Sequence, residues 1–284
     1  SDVYKRQELG DKWYYDGYMS KKKNTFRDFS KVVSYLIDHN YTSYEKLCTI
    51  GGSAGGLVMG NVIMDHPQLK AAIFLVPFVT PLFTMLNGDL PLTPGEYTEW
   101  GNPAECKKTY EYIKEYDPYL RLLKFLKDKK VFDNNDVYGK DKNAITHEKI
   151  PENFLNRYDE IYKTIIGNNL EDSAGINGKD KNVVENKMSA RDYDNRDDCK
   201  DDNKNLKEKN ISNEKLENVN KRILPNVYIS AALSDPLVTY WEPLKYIATI
   251  RELQKFELKE NNQVSSLAIL NMDMEASHKG KSGI

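Results

Sequence analysis

The feature that most constrains the fold of this chain is a stretch of small residues, CTIGGSAGGLVMG at residues 48–60. Its beginning favours a short buried strand, its middle a tight turn, and its end an apolar helix that continues to about Met64. Within the stretch, Gly51-x-Ser53-x-Gly55 has the spacing of a nucleophile elbow, a sharp strand-to-helix turn that projects a serine hydroxyl. Glycines two positions before and after the serine remove the Cβ atoms that would clash in so crowded a turn.

This pattern makes Ser53 the candidate nucleophile and Ala54 the candidate oxyanion donor. The predicted helix directs its positive end, and the N–H of Ala54, towards an oxyanion formed beside Ser53. A phosphate-binding loop is an alternative for a glycine-rich turn, but the Lys-Ser/Thr of a P-loop does not follow and G-x-G-x-x-G does not fit. A purely structural glycine-rich turn remains a second alternative on these residues alone.

Strand and helix patterns alternate along the ordered parts of the chain. The predicted elements are helices over residues 26–39 and 241–253 and strands over residues 71–76, 226–232 and 266–270. This alternation favours an α/β protein with a mostly parallel sheet and helices on both faces. Residues 77–103, which are rich in Pro and Gly, are predicted to form a long loop.

The composition changes abruptly near Lys127. From residue 127 to residue 222 the chain is dominated by Asn, Asp, Lys and Glu and has few apolar positions. Such a segment buries too little apolar surface to offset the entropy lost on ordering, so we predict a polar, disordered insertion there. The folded domain is accordingly predicted in two parts, residues 8–126 and 223–284.

Two further candidate residues follow predicted strands. Asp235 comes just after the strand at 226–232, and His278 lies in the loop after the strand at 266–270. Because parallel strands end at one edge of a sheet, Ser53, Asp235 and His278 are predicted to meet there. In that arrangement His278 takes the serine proton and Asp235 fixes the imidazole tautomer. The order nucleophile, acid, base is that of the α/β-hydrolase fold, which is the predicted fold class.

Several stretches resemble the catalytic domain of the prolyl oligopeptidase family, most closely that of oligopeptidase B. They are ELGDKW at 8–13, KKKNTF at 21–26, GGSAGG at 51–56, GEYTEWGNP at 95–103 and YWEP at 240–243. The resemblance implies a serine peptidase that cleaves short peptides, with a β-propeller in the full-length protein. Within oligopeptidase B it also implies cleavage after Arg or Lys, with acidic residues of the 95–103 stretch binding the basic side chain. Glu96 matches the first of these, and Glu99 is the second candidate.

The chain also departs from the family pattern. Thr98 stands where the family has a second acidic residue, and Leu237 stands where an arginine anchors the substrate backbone. These departures keep two alternatives open, namely an esterase or a peptidase of different specificity, and a non-catalytic binding protein on the same fold. The resemblance covers only part of a catalytic domain, so we expect a fragment of a longer protein.

The bulk properties of the chain argue against other function classes. A net charge of −2 gives no reason to expect a nucleic-acid or membrane partner. The three cysteines are widely spaced without metal-ligand spacing, which favours reduced thiols and no metal site. No apolar run reaches the ~20 residues of a membrane span, and no signal-peptide pattern is present. We therefore expect a cytoplasmic protein that needs no cofactor.

Overall fold

The strands of the described part of the chain form one parallel sheet. A computed structural model describes residues 10–129, 131 and 223–278. The sheet contains four strands in the order β1 (Cys48–Gly52), β2 (Ala71–Leu75), β3 (Asn226–Ala232) and β4 (Ala268–Asp273). Gly52 lies opposite Leu75, and Ser230 lies opposite Asn271 on β4. The carboxyl ends of the strands therefore lie at one edge of the sheet.

Helices connect the strands and pack against them. They are α1 (Asp11–Tyr15), α2 (Lys23–Asp38), α3 (Ala54–Asp65), α4 (Pro81–Leu86), α5 (Thr93–Trp100), α6 (Lys107–Tyr116), α7 (Pro118–Asp128) and α8 (Trp241–Asn261), with a short 3-10 helix at Met19–Lys21. Helix α3 packs on β1 and β2, and α8 packs on β3 and β4. The core lies between these helices and the sheet, where Leu57, Phe74, Ile229 and Tyr246 are fully buried or nearly so.

The predicted strands and helices are present, with shifted ends. The predicted helix at 26–39 begins at Lys23 and ends at Asp38, and the last helix continues to Asn261 instead of residue 253. Strand β4 starts at Ala268, two residues later than predicted. Strand β1 is less buried than predicted, because only Thr49 within it is buried.

The long loop predicted for residues 77–103 is wrong. Helices α4 and α5 lie within this range. Their prolines, Pro81 and Pro94, both stand in the first turn of a helix. Proline is tolerated there because the N–H that it lacks has no acceptor within the helix. Pro81 and Pro94 therefore mark helix starts.

Most of the predicted insertion lies outside the described residues. Helix α7 continues to Asp128, so the ordered part extends slightly beyond the predicted boundary at residue 126. Residues 130 and 132–222 are not described, and the insertion and the two-part domain division stay predictions.

One face of the sheet carries an exposed apolar row. Ile50, Ile73, Tyr228 and Ile269 lie side by side across the four strands. Ile50 is 61% exposed and Ile269 is 48% exposed. The opposite face is covered, since Phe74 contacts Tyr246 of α8 with ring centroids 5.9 Å apart.

Two observations bear on location. Within the described ranges, none of the helices combines the length and the apolar character that crossing a membrane requires. Cys48 is a free, exposed thiol, whereas Cys106 is disulfide-bonded. The prediction of reduced thiols is therefore wrong for Cys106, and a cytoplasmic location stays a prediction.

Candidate active site

Ser53 occupies the turn between β1 and α3 in a strained conformation. Its φ is 50° and its ψ is −121°. A positive φ is unfavourable for a residue with a Cβ atom and persists only where the surroundings enforce it. Here the Ser53 N–H donates to the carbonyl of Leu75 at 2.9 Å, while the Ser53 carbonyl accepts from Gly56 at 2.8 Å and Phe78 at 2.9 Å. These bonds fix the serine between α3 and the segment that follows β2.

Two of the glycines around Ser53, Gly51 and Gly56, are required by close contacts. A Cβ atom on Gly51 would lie 2.4 Å from the carbonyl oxygen of Gly55, and one on Gly56 would lie 2.3 Å from Cβ of Pro77. Backbone and a proline ring cannot move aside as a flexible side chain can. The glycine pattern therefore has the steric basis expected of a nucleophile elbow.

Ala54 is the first residue of α3 and is only 4% exposed. The N–H of a first helical residue has no acceptor within its helix. The positive end of the helix dipole lies at the same place. This end of the helix would therefore stabilise negative charge that developed beside Ser53.

Asp235 and His278 are in contact. They follow the adjacent strands β3 and β4, and Nδ1 of His278 lies 2.6 Å from Oδ2 of Asp235. The other carboxylate oxygen accepts from the backbone N–H of Leu237 at 2.8 Å and of Val238 at 2.9 Å. The side chain of Asp235 is 1% exposed and that of His278 is 14% exposed. With its proton on Nδ1, the imidazole keeps Nε2 as a proton acceptor.

A cavity of about 100 Å³ begins at the elbow. It is lined by Ser53 and Ala54, by residues of α4 and α5, and by residues 236–239 of the loop after Asp235. The cavity therefore brings the serine and the aspartate-bearing loop to one place. It is smaller than the roughly 300–1,000 Å³ of pockets that hold a drug-sized ligand, so it suits a single side chain.

Glu96 is the only charged residue among the described residues that line the cavity. Its Oε2 accepts a hydrogen bond from the indole N–H of Trp100 at 2.7 Å. The two residues are four positions apart on α5, a spacing that places side chains on the same side of a helix. The structure thus brings Glu96 to the predicted site.

Glu99 is not brought to the cavity. It is 9% exposed, and its Oε2 accepts from the hydroxyl of Tyr14 at 3.0 Å. Its Oε1 forms an ion pair with the ammonium group of Lys22. Both carboxylate oxygens of Glu99 are therefore engaged away from the cavity.

Two buried carboxylates near the cavity were not predicted as site residues. Glu242, at the start of α8, is 1% exposed. It accepts from the N–H of Thr80 at 3.1 Å, from the hydroxyl of Thr84 at 3.2 Å and from the hydroxyl of Thr239 at 3.4 Å. Because Thr84 and Thr239 both line the cavity, Glu242 joins two of its walls.

Asp117 is the second buried carboxylate. It caps α7 through the N–H of Leu120 at 2.9 Å and also accepts from the N–H of Leu82 on α4 at 3.0 Å. Burial raises the pKa of Asp117 and that of Glu242 to about 7, and the charge of Glu242 contributes to the shift of Asp117. In the sequence, an acidic residue beside a proline at a helix start indicates an ordinary cap, so these roles gave no distinct signal.

Comparison with known proteins places this geometry in context. Residues 5–132 match the model of the prolyl oligopeptidase family. The chain is 48% identical over 117 residues to dipeptidyl aminopeptidase BI of Pseudoxanthomonas mexicana, a match that covers 41% of this chain and 16% of that protein. It is 47% identical over 113 residues to protease 2 of Moraxella lacunata, covering 39% of this chain and 16% of that protein. The matched stretch therefore spans only 16% of the length of these curated relatives.

A solved structure supports the fold. Oligopeptidase B from Leishmania major is similar to 95% of this chain, with a TM-score of 0.53 and 24% sequence identity, and the match covers 23% of that structure. At this identity the likeness concerns the fold alone. It confirms the predicted α/β-hydrolase fold.

Proposed function

We propose that this chain, of which residues 5–132 match the model of the prolyl oligopeptidase family, belongs to that family and forms the catalytic part of a serine peptidase. The observation that carries the proposal is the buried contact between Asp235 and His278 at the sheet edge where β1 ends in the elbow. The cavity that links Ser53 to the loop after Asp235 adds to it. In this proposal Ser53, Asp235 and His278 are the catalytic residues.

The proposed mechanism proceeds through an acyl-enzyme. Ser53 Oγ attacks the scissile carbonyl carbon while His278 Nε2 accepts the hydroxyl proton, and the Ala54 N–H stabilises the oxyanion. The tetrahedral intermediate then collapses, the C–N bond breaks, and His278 gives its proton to the leaving amine. Water attacks the acyl-enzyme by the same route and frees Ser53. Asp235 holds the imidazole tautomer and stabilises its positive charge throughout.

The proposed substrates are short peptides with Arg or Lys before the cleaved bond. Support comes from Glu96, the one charged side chain among the described residues that line the cavity. A carboxylate in an apolar pocket pairs well with a guanidinium group. Since Glu99 is engaged with Lys22 and Tyr14, we assign it no direct contact with substrate.

A second candidate function is an esterase, or a peptidase of different specificity. Leu237 favours it, because this apolar side chain lines the cavity and is 39% exposed. An apolar substrate group would bury against it without a charged partner. A non-catalytic binding protein is the third candidate.

A further domain is part of the proposal. The matches cover only 16% of the curated relatives, which leaves most of their length beyond the region described. We propose that the full-length protein carries a β-propeller that restricts access to the cavity, as the family resemblance implies.

A fluorophosphonate probe tests the proposal, since it reacts with an activated serine. We expect labelling of the purified protein at Ser53 and none after Ser53→Ala. Hydrolysis of matched Arg, Pro and ester substrates then separates the candidates. Preference for Arg supports the peptidase, and activity without such preference supports the second candidate. If the protein shows neither labelling at Ser53 nor hydrolysis that depends on Ser53, the third candidate, a non-catalytic binding protein, is favoured.

A further inference from the structure

We infer that Trp100 is a positioning residue that orients Glu96 towards a cationic side chain in the cavity, and that the buried pair of Lys22 and Glu99 holds Trp100 in place. This inference deepens the proposed function and rests on it for the identity of the substrate. The contacts involved join Lys22, which follows the 3-10 helix, to residues of helix α5.

The bond between Trp100 and Glu96 has a defined direction. The indole N–H donates to Glu96 Oε2 at 2.7 Å, and Trp100 is only 3% exposed. An indole nitrogen is a donor only, so Oε2 of Glu96 is the acceptor of this bond. Among the described residues, none donates a hydrogen bond to Glu96 Oε1. One oxygen is thus anchored, and the other remains for a ligand.

Lys22 acts on Trp100 from the face of its ring. The ammonium nitrogen lies 4.3 Å from the ring centroid, and Lys22 is 2% exposed. Cation–π attraction is stronger where water is excluded. A positive charge over the indole also draws electron density from the ring, which makes its N–H a stronger donor. Lys22 therefore both fixes the ring and strengthens the bond to Glu96.

Glu99 balances the charge of Lys22. Its Oε1 pairs with the ammonium group, and its Oε2 accepts from Tyr14 at 3.0 Å. A buried ion pair adds little stability compared with apolar side chains of similar volume, because removing two charges from water is unfavourable. Lys22 of this pair contacts Trp100, which binds Glu96, the only charged residue lining the cavity among those described. That placement is better explained by positioning than by stability.

The first test is Trp100→Phe in the purified protein. Phenylalanine keeps an aromatic ring beneath Lys22 and removes the N–H donor together with part of the ring volume. We expect kcat/KM for an Arg substrate to fall about 10-fold, mainly through a higher KM, as one charge-assisted hydrogen bond is lost. For an ester with an uncharged acyl group we expect less than a 2-fold change. Trp241→Phe is the matched control, and both substrates should be unaffected by it. An equal loss on both substrates would overturn the inference.

A binding measurement keeps this test separate from the proposed function. Benzamidine, a small amidinium cation, is titrated calorimetrically into Ser53→Ala and into Ser53→Ala with Trp100→Phe. We expect Kd to rise about 10-fold in the second protein. If the protein hydrolyses nothing but the Kd shift occurs, the proposed function fails and the inference stands. Absence of benzamidine binding, or an unchanged Kd, sinks the inference.

The double variant Lys22→Met with Glu99→Gln tests the second half of the inference. Together the substitutions leave no unpaired buried charge, and a glutamine at 99 still accepts from Tyr14. We expect the same selectivity change as in Trp100→Phe, but smaller, about 3-fold in KM for the Arg substrate. A variant with a normal melting temperature and unchanged KM would show that Lys22 supports only the fold. If either variant fails to fold, the other decides the matter.

Discussion

At the scale of single residues, the candidate site depends on positions where one additional carbon atom does not fit. The elbow closes so tightly that Gly51 faces the backbone of Gly55, and Gly56 faces Pro77. Ser53 itself is held at a positive φ by three backbone hydrogen bonds. Because steric requirements of this kind select glycine at positions close to the serine in the sequence, the pattern around Ser53 predicts the elbow.

Gly51→Ala tests this packing. We expect the free energy of unfolding to fall by about 3 kcal/mol, since the new Cβ atom forces a backbone shift. Urea denaturation measures it. The matched change is Gly95→Ala in α5, where no atom lies within 4 Å of the new Cβ. There we expect a gain of roughly 0.5–1 kcal/mol from the lower entropy of the unfolded chain. Similar results for the two variants would refute the steric explanation.

Asp235→Asn tests the proposed role of the carboxylate. Because the backbone N–H groups of Leu237 and Val238 retain the amide oxygen, the amide NH₂ faces Nδ1 of His278 and holds the imidazole in the wrong tautomer. We expect kcat for peptide hydrolysis to fall by about 10⁴ while the protein stays folded. Steady-state kinetics and circular dichroism measure the two effects. Asp89→Asn, an exposed position, is the control. A loss below 10-fold would argue against a catalytic acid at Asp235.

At the scale of elements, helix α4 is anchored by two buried carboxyl groups that lie at the starts of two other helices. Glu242 of α8 binds Thr80 and Thr84, and Asp117 before α7 binds Leu82. A helix of six residues has too little length to be stable by itself, so these buried carboxylates position it. The composition of residues 77–103 did not reveal the helix, because its stability comes from residues far along the chain.

The same anchors predict a pH dependence. Burial raises the pKa of Glu242 to about 7 in the folded protein, from an ordinary value of 4.5. Between pH 4.5 and about 7, the folded state binds more protons than the unfolded state. The contribution of Glu242 to the stability of the fold is therefore present below pH 4.5 and is lost as the pH rises through about 7. Asp117 contributes in the same direction.

Glu242→Gln removes one of these titrations. As the pH rises from 4.5 to about 7, we expect the melting temperature of the wild type to fall relative to that of the variant. Differential scanning calorimetry at several pH values measures the difference. Glu260→Gln, on the exposed surface of the same helix, should leave the pH dependence unchanged. If the difference in melting temperature between the wild type and Glu242→Gln were the same at every pH, the raised pKa of Glu242 would be contradicted.

At the scale of the whole molecule, the described part of the chain presents an open sheet face. The row of Ile50, Ile73, Tyr228 and Ile269 crosses all four strands, and exposed apolar surface of this extent promotes association. The opposite face is buried beneath α3 and α8. The two faces of one sheet therefore differ sharply in their contact with water.

Replacing Ile50 and Ile269 together by threonine tests whether the exposed row promotes association. Threonine keeps the β-branched shape that suits a strand and reduces the apolar surface. We expect the 1–284 chain to self-associate less, with a lower mean mass in light scattering at equal concentration. Val32→Thr on α2, where the valine is 56% exposed, is the control for a generally more polar surface. Equal effects would mean that the row has no special role.

Short patterns in the sequence determined much of the fold and of the candidate site. The elbow, the strands β1 to β3 and the order Ser53, Asp235, His278 follow from patterns of a few residues, because backbone sterics and side-chain periodicity act over short distances. The choice of partner for a charged group was decided only by the tertiary structure. Glu99 pairs with Lys22 from 77 positions away, and Glu242 binds Thr80 from 162 positions away. Such contacts depend on which groups the packed helices bring together, and no short pattern encodes that.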